Sequence, residues 1–126
     1  MIKFCKETGV GIIPWGPLFS GRLAKPIDVE TDRSKANAAF GIPFHDADKE
    51  IIQRVDELAK KKSVSMSQIA LAWIRGKGCI PIVGVASSTT IVRLEEACAV
   101  KDVKLTEEEM TYLEEPYVPK AVMGHS

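Results

Sequence analysis

Apolar residues follow two rhythms along this chain. In "VGIIPW" (10–15) and "CIPIVGV" (79–85) they run almost unbroken, the pattern of a short strand buried on both faces. Elsewhere they recur at helical spacing. Ile2 and Cys5 in "MIKFCKET" predict the end of a helix over 1–8, with Gly9 as the residue that closes it. The first strand is predicted at 10–15 and ends at Pro14, because a central strand needs the amide that proline lacks. Two helices are predicted within 48–75. "DADKEIIQRVDELAKKK" sets Ile51, Ile52, Val55, Leu58 and Ala59 on one face, with acids first and lysines last, which suits the helix dipole. "SMSQIALAWIRGKG" opens with Ser65 and Gln68 at capping-box spacing and puts Ile69, Ala72 and Trp73 on one side. A second strand is predicted at 79–84 and further helices within 90–115. The first of those has Ile91, Leu94 and Cys98 as its stripe; the second is capped by Thr106 with Glu109 three residues on. Residues 116–126 form a proline-marked tail.

Between the strands lies a long segment, 16–47, with only a faint helical patch near 34–40. Loops beyond about 15 residues are uncommon in compact domains unless they bind something. The order helix, strand, loop, helix, helix, strand, helix, helix argues an α/β class with a parallel sheet. A parallel pair alone leaves both outer edges bare, and parallel sheets occur almost only in larger, covered assemblies. The chain is therefore expected to be a piece of such an assembly, one that needs its missing part or self-associates.

Composition narrows the partners. Seventeen basic and seventeen acidic residues balance to zero in 126 residues, so the global field is not that of a nucleic-acid or anionic-membrane binder. No apolar run reaches the roughly 20 residues of a membrane span, and no signal segment opens the chain; a cytoplasmic location is expected. Cys5, Cys79 and Cys98 form no paired motif and each lies in an apolar stretch, which reads as reduced thiols packed in a core. His45 and His125 are isolated, so no metal site is expected.

Two stretches suit an anion. In "PWGPLFSGRL" Gly16 and Gly21 allow backbone to approach a phosphate, while Arg22 and, further on, Arg33 are forked donors. In "GVASSTTIVRLEEA" a glycine and hydroxyl residues precede a helix start with an arginine nearby. Both also read as ordinary features: solvated loop arginines and a plain helix cap. Trp15 by itself reads as core.

"GVGIIPWGPLFSGRL", "TDRSKA", "SMSQIALAWI", "IPIVGVASS", "RLEEA" and "VKLTEEEMTYLEEPYVPKAVMGH" together resemble the last part of an aldo-keto reductase, of the NADP-dependent, short-tailed kind, in order and nearly in spacing. The resemblance implies a C-terminal fragment of a (β/α)8 TIM barrel, carrying about its last two strands with their helices. It implies NADP (NADPH) as cofactor and a small carbonyl compound as substrate. Trp15, Gly16, Pro17, Leu18 and Gly21 would then line the pyrophosphate, ribose and nicotinamide side, with Gly16 standing where serine is usual. Of Arg22 and Arg33, the resemblance favours Arg33. Gly84, Ser87 or Ser88, and Arg93 would meet the 2′-phosphate, and Glu96 the adenine or ribose. Ala97 stands where many relatives have asparagine, and the span from Gly84 to Leu94 is longer than usual.

The tyrosine that donates the proton in this family, with its lysine, aspartate and histidine, comes from earlier strands; neither Tyr112 nor Tyr117 matches it. No catalytic residue is therefore assigned, and the isolated chain is expected to be inactive. Two other readings stand beside this one: a noncatalytic cofactor-binding or regulatory protein on the same scaffold, and a small self-standing interaction domain.

Overall fold

A computed structural model describes residues 1–29, 44–84 and 90–119; the patch at 34–40, Arg33, Ser87, Ser88 and His125 lie outside them. Five helices are described: α1 Ile2–Thr8, α2 Asp46–Lys62, α3 Met66–Gly76, α4 Thr90–Ala99 and α5 Glu107–Glu114. Two 3₁₀ segments, Phe19–Ala24 and Val100–Asp102, accompany them.

The helix ends are set locally. Gly9 at φ 73° closes α1. The Ser65 hydroxyl accepts the Gln68 amide at 3.2 Å, and the Gln68 side chain accepts the Ser65 amide at 3.1 Å. Thr106 and Glu109 repeat this reciprocal arrangement at α5, at 3.2 and 2.9 Å, so donors that the first turn leaves open are satisfied.

The core forms where α2, α3 and α5 meet: Ile52, Val55, Leu58 and Ala59 pack with Met66 and Ile69 and with Leu113. A smaller cluster joins Leu71 and Ala72 of α3 to Val100. Ion pairs tie the rim. Arg54 donates to Glu50, Glu115 and the Tyr112 carbonyl at 2.8, 2.6 and 2.7 Å, and Lys62 meets Glu109 at 2.9 Å.

The two apolar runs lie side by side, and the pairing is slighter than two strands. The Ile80 amide donates to the Ile12 carbonyl at 2.8 Å and the Ile82 amide to the Pro14 carbonyl at 3.2 Å, with one parallel bridge, Trp15 to Ile82. No longer strand is formed among the described residues. The reason is Pro14. Its carbonyl points at the neighbouring run, so Pro14 sits inside the pairing instead of ending it, and the rung its amide would give to the Ile80 carbonyl cannot form.

Side chains alternate across this ribbon. Cys79 is buried and Ile12, Pro14, Pro81 and Val83 are half-buried on the helix side, Val83 packing on the smaller cluster. Ile13, Trp15, Ile80 and Ile82 share the opposite face, which is bare. The helices therefore cover one side of the ribbon only.

The stripe expected to bury α4 does not. Ile91, Leu94 and Cys98 are exposed, because α4 turns Ala97 and Glu96 toward α3 instead: Ala97 packs on the smaller cluster, and the Glu96 carbonyl accepts from Gln68 at 3.1 Å. Of the three cysteines, Cys79 alone is buried; Cys5 is half-buried and Cys98 is exposed, so the expectation of three core thiols is corrected by the rotation of α4 and by the solvent-facing position of α1.

Candidate functional site

The bridge between Trp15 and Ile82 fixes what the site has in common. Immediately beyond it the first run enters the loop that starts at Gly16, and the second reaches Gly84. Because the runs are parallel, both candidate anion loops leave from the same end of the ribbon.

Trp15 stands at that end, 90% exposed, on the bare face; it is not a core residue. Gly16 follows at φ 65° and turns the chain. Pro17 and Leu18 return to the helix body. Pro17 lines an apolar groove of about 940 Å³ that also involves Leu23, Val55 and Trp73, and Leu18 packs on the Leu71–Val100 cluster. The groove's other walls come mainly from α1, α2, α3 and α5. Pro17 and Leu18 thus anchor the loop.

Phe19, Ser20 and Gly21 then stand in succession at φ 50°, 54° and 87°. Glycine takes this left-handed region freely, whereas each of the other two gives up about 1–2 kcal/mol. The turn they make consumes amides: Phe19 donates to Gly16 at 3.1 Å, Gly21 to Leu18 at 2.9 Å and Leu23 to Leu18 at 3.2 Å. A phosphate at this loop has fewer amide donors available than the sequence suggests.

The Arg22 guanidinium lies over two rings, 4.9 Å from the Phe19 centroid and 4.8 Å from that of Phe44. Each such contact contributes about 0.5–1 kcal/mol at an exposed site. No motif in the sequence marks Phe44; its one visible signal is an aromatic residue at the far end of the loop.

At the second loop Gly84 is exposed and has open space around its α-carbon. Arg93 is exposed on the first turns of α4. Glu96 points elsewhere: its carboxylate accepts from the Ser67 hydroxyl at 3.3 Å, so in this structure it docks α4 on the start of α3.

The tyrosines are engaged or remote. The Tyr112 hydroxyl donates to Glu57 at 2.6 Å, and this bond, with some burial, raises its pKa above the ordinary value. Its ring lies under Arg54 at 4.5 Å. Tyr117 is exposed beyond α5. His45 precedes α2 and donates its amide to Asp48 at 2.9 Å. Among the described residues there is no cluster with metal-ligand potential, and no helix is long and apolar enough to cross a membrane.

Comparison with known proteins gives the context. Residues 1–117 match the model of the aldo/keto reductase family. The chain is 46% identical over 127 residues to a protein of Schizosaccharomyces pombe named as an aryl-alcohol dehydrogenase, covering 98% of this chain and 35% of the relative. It is 46% identical over 128 residues to versiconal hemiacetal acetate reductase of Aspergillus parasiticus, covering 97% and 36%. An aldo-keto reductase of Fusarium vanettenii is 40% identical over 131 residues, covering 100% and 34%. The chain spans about a third of the length of these relatives. Over nearly its whole length, then, this chain belongs to the aldo/keto reductase family.

Proposed function

We propose that the chain is the cofactor-binding C-terminal part of an NADP-dependent aldo-keto reductase, an oxidoreductase that takes a small aldehyde or ketone to the alcohol. The observation that carries this reading is the parallel bridge of Trp15 with Ile82, which brings the Gly16–Arg22 loop and the Gly84 loop to one end of the ribbon. Active sites of (β/α)8 barrels gather at that end of their strands. The bare face of Ile13, Trp15, Ile80 and Ile82 suits the inner wall of such a barrel, with the helices outside.

In this reading Trp15, Gly16 and Gly21 border the dinucleotide, Arg22 meets a phosphate and Pro17 with Leu18 fixes the loop. Arg33, Ser87 and Ser88 complete the phosphate contacts, and Arg93 selects the 2′-phosphate, which favours NADP over NAD. Glu96 reaches the adenosine only by releasing Ser67. When bound, the nicotinamide would supply the hydride. The proton is assigned to a donor outside this chain, since Tyr112 is committed to Glu57 and Tyr117 stands in the exposed stretch beyond α5. The isolated chain is consequently inactive.

Two measurements on the purified chain test this. With 4-nitrobenzaldehyde and NADPH no consumption of NADPH is expected; turnover would place the proton donor inside these 126 residues. NADP⁺ is expected to quench the fluorescence of exposed Trp15 at lower concentration than NAD⁺ does, and Trp15→Phe to abolish the signal. Equal titrations by the two nucleotides would remove the 2′-phosphate assignment.

A further inference from the structure

Two side chains of α3, Gln68 and Arg75, reach across to the backbone at the end of α4. The Gln68 amide is used at both of its ends. Its oxygen accepts the Ser65 amide at 3.1 Å, which caps α3, and its nitrogen donates to the Glu96 carbonyl at 3.1 Å. Glu96 stands in the last turn of α4, where carbonyls lose their intrahelical partners. The base of this contact is rigid, because Gln68 is flanked by the buried Met66 and the fully buried Ile69.

The second tie lies further along. Arg75 donates to the Val100 carbonyl at 2.8 Å, and Val100 is buried with Leu71 and Ala72. Because Ser67 and Gln68 meet Glu96 while Arg75 meets Val100, the two helices run the same way. The stripe that α4 turns to α3 holds Glu96, Ala97 and Val100, and at spacing i, i+3, i+4 and i+7 it begins with Arg93. Glu96, Ala97 and Val100 are half-buried or buried, whereas Arg93, at the open end, is exposed. Arg93 therefore stands about 4.5 Å along the axis from Glu96, on the side of the Gly84 loop.

We infer that Gln68 is a positioning residue for the nucleotide: its bond to the Glu96 carbonyl fixes the rotation of α4 at which Arg93 meets the 2′-phosphate. This rests on the assignment of Arg93 to that phosphate. Arg75 and the packing of Val100 hold the far end of α4, so loss of the Gln68 bond leaves the helix attached and frees the end that carries Arg93. Gln68 acts through Arg93 alone. Its removal therefore weakens the binding of NADP⁺ and spares that of NAD⁺, which lacks the 2′-phosphate.

Titrations of the chain with NADP⁺ and with NAD⁺, read by Trp15 fluorescence, test this together with amide exchange across α4. Gln68→Met, close in size and without charge, is expected to lower the preference for NADP⁺ by about fivefold or more, to leave NAD⁺ nearly unchanged and to speed exchange in α4. Ser65→Ala weakens the same cap but keeps the Gln68 donor, so it lowers stability and preserves the preference. In an Arg93→Ala background Gln68→Met takes nothing further from the preference. Gln68→Glu, whose carboxylate still accepts the Ser65 amide, serves as the second variant, and circular dichroism verifies that each variant keeps its helices. A preference lost with Arg93→Ala but kept with both Gln68 variants overturns the inference alone. Equal weakening of the two nucleotides, or an equal loss of preference with Ser65→Ala, overturns it in favour of a purely structural role. A preference that survives Arg93→Ala removes the phosphate assignment and this inference with it.

Discussion

Glu114 receives two donors, Trp73 Nε1 at 2.8 Å and the Lys77 ammonium. Burial pushes its pKa up, but the bonds from Lys77 and Trp73 outweigh that and hold the carboxyl below its ordinary 4.5. A group whose folded pKa is depressed adds stability that is complete above the unfolded value and is lost as pH falls through the folded one. Urea unfolding at fixed protein concentration is therefore expected to show a loss of stability below about pH 4.5 that Glu114→Gln makes shallower. For Glu109 burial is the largest single effect and raises the pKa, but the Thr106 amide and the lysines Lys62 and Lys61 together outweigh it and hold the carboxyl down, so it contributes in the same direction. At the core, Ile69 is fully buried, and Ile69→Ala is expected to cost about 2–5 kcal/mol by the same measurement.

Among the elements, those with local instructions are the ones the sequence makes legible. Ser65 with Gln68, and Thr106 with Glu109, are readable because both partners of each cap lie within one turn. Ser65→Ala is expected to cost about 1 kcal/mol, read as a lowered urea midpoint. Gly78, which carries the chain from α3 into the second run, stands at φ 77°, and Lys6 Cε lies 3.2 Å from the point a Cβ would occupy. Gly78→Ala is expected to cost about 1–2 kcal/mol from the backbone alone. Other features are decided by distant contacts. Apolar spacing marks Ile91, Leu94 and Cys98 as a stripe, but which side of α4 is buried depends on Gln68 and Ser67, and those lie more than twenty residues away. Pro14 likewise marks a change in the strand, while the direction its carbonyl faces is set by Ile82. The same holds in the candidate site: glycines and arginines are visible in sequence, whereas the contacts of Arg22 with the rings of Phe19 and Phe44 need both ends of a long loop.

Across the whole molecule, a helical body with a single covered ribbon face accounts for the uneven distribution of apolar surface. The relatives are about three times as long, and the exposed Ile13, Trp15, Ile80 and Ile82 lie where a larger barrel would place its interior. An apolar patch of this kind binds hydrophobic dyes. Anilinonaphthalene sulfonate fluorescence is expected with the native chain and is expected to fall with Ile80→Lys; an unchanged signal would put the dye in the groove beside Trp73.

Pro14 works on the ribbon like a missing tooth in a zipper. The tip that bears Trp15 and the two loops is fastened below the gap by the Ile80–Ile12 bond and above it by the Ile82–Pro14 bond, with no stitch between. What play the gap allows stops at Leu18 and Val83, which seat both runs on the Leu71–Val100 cluster.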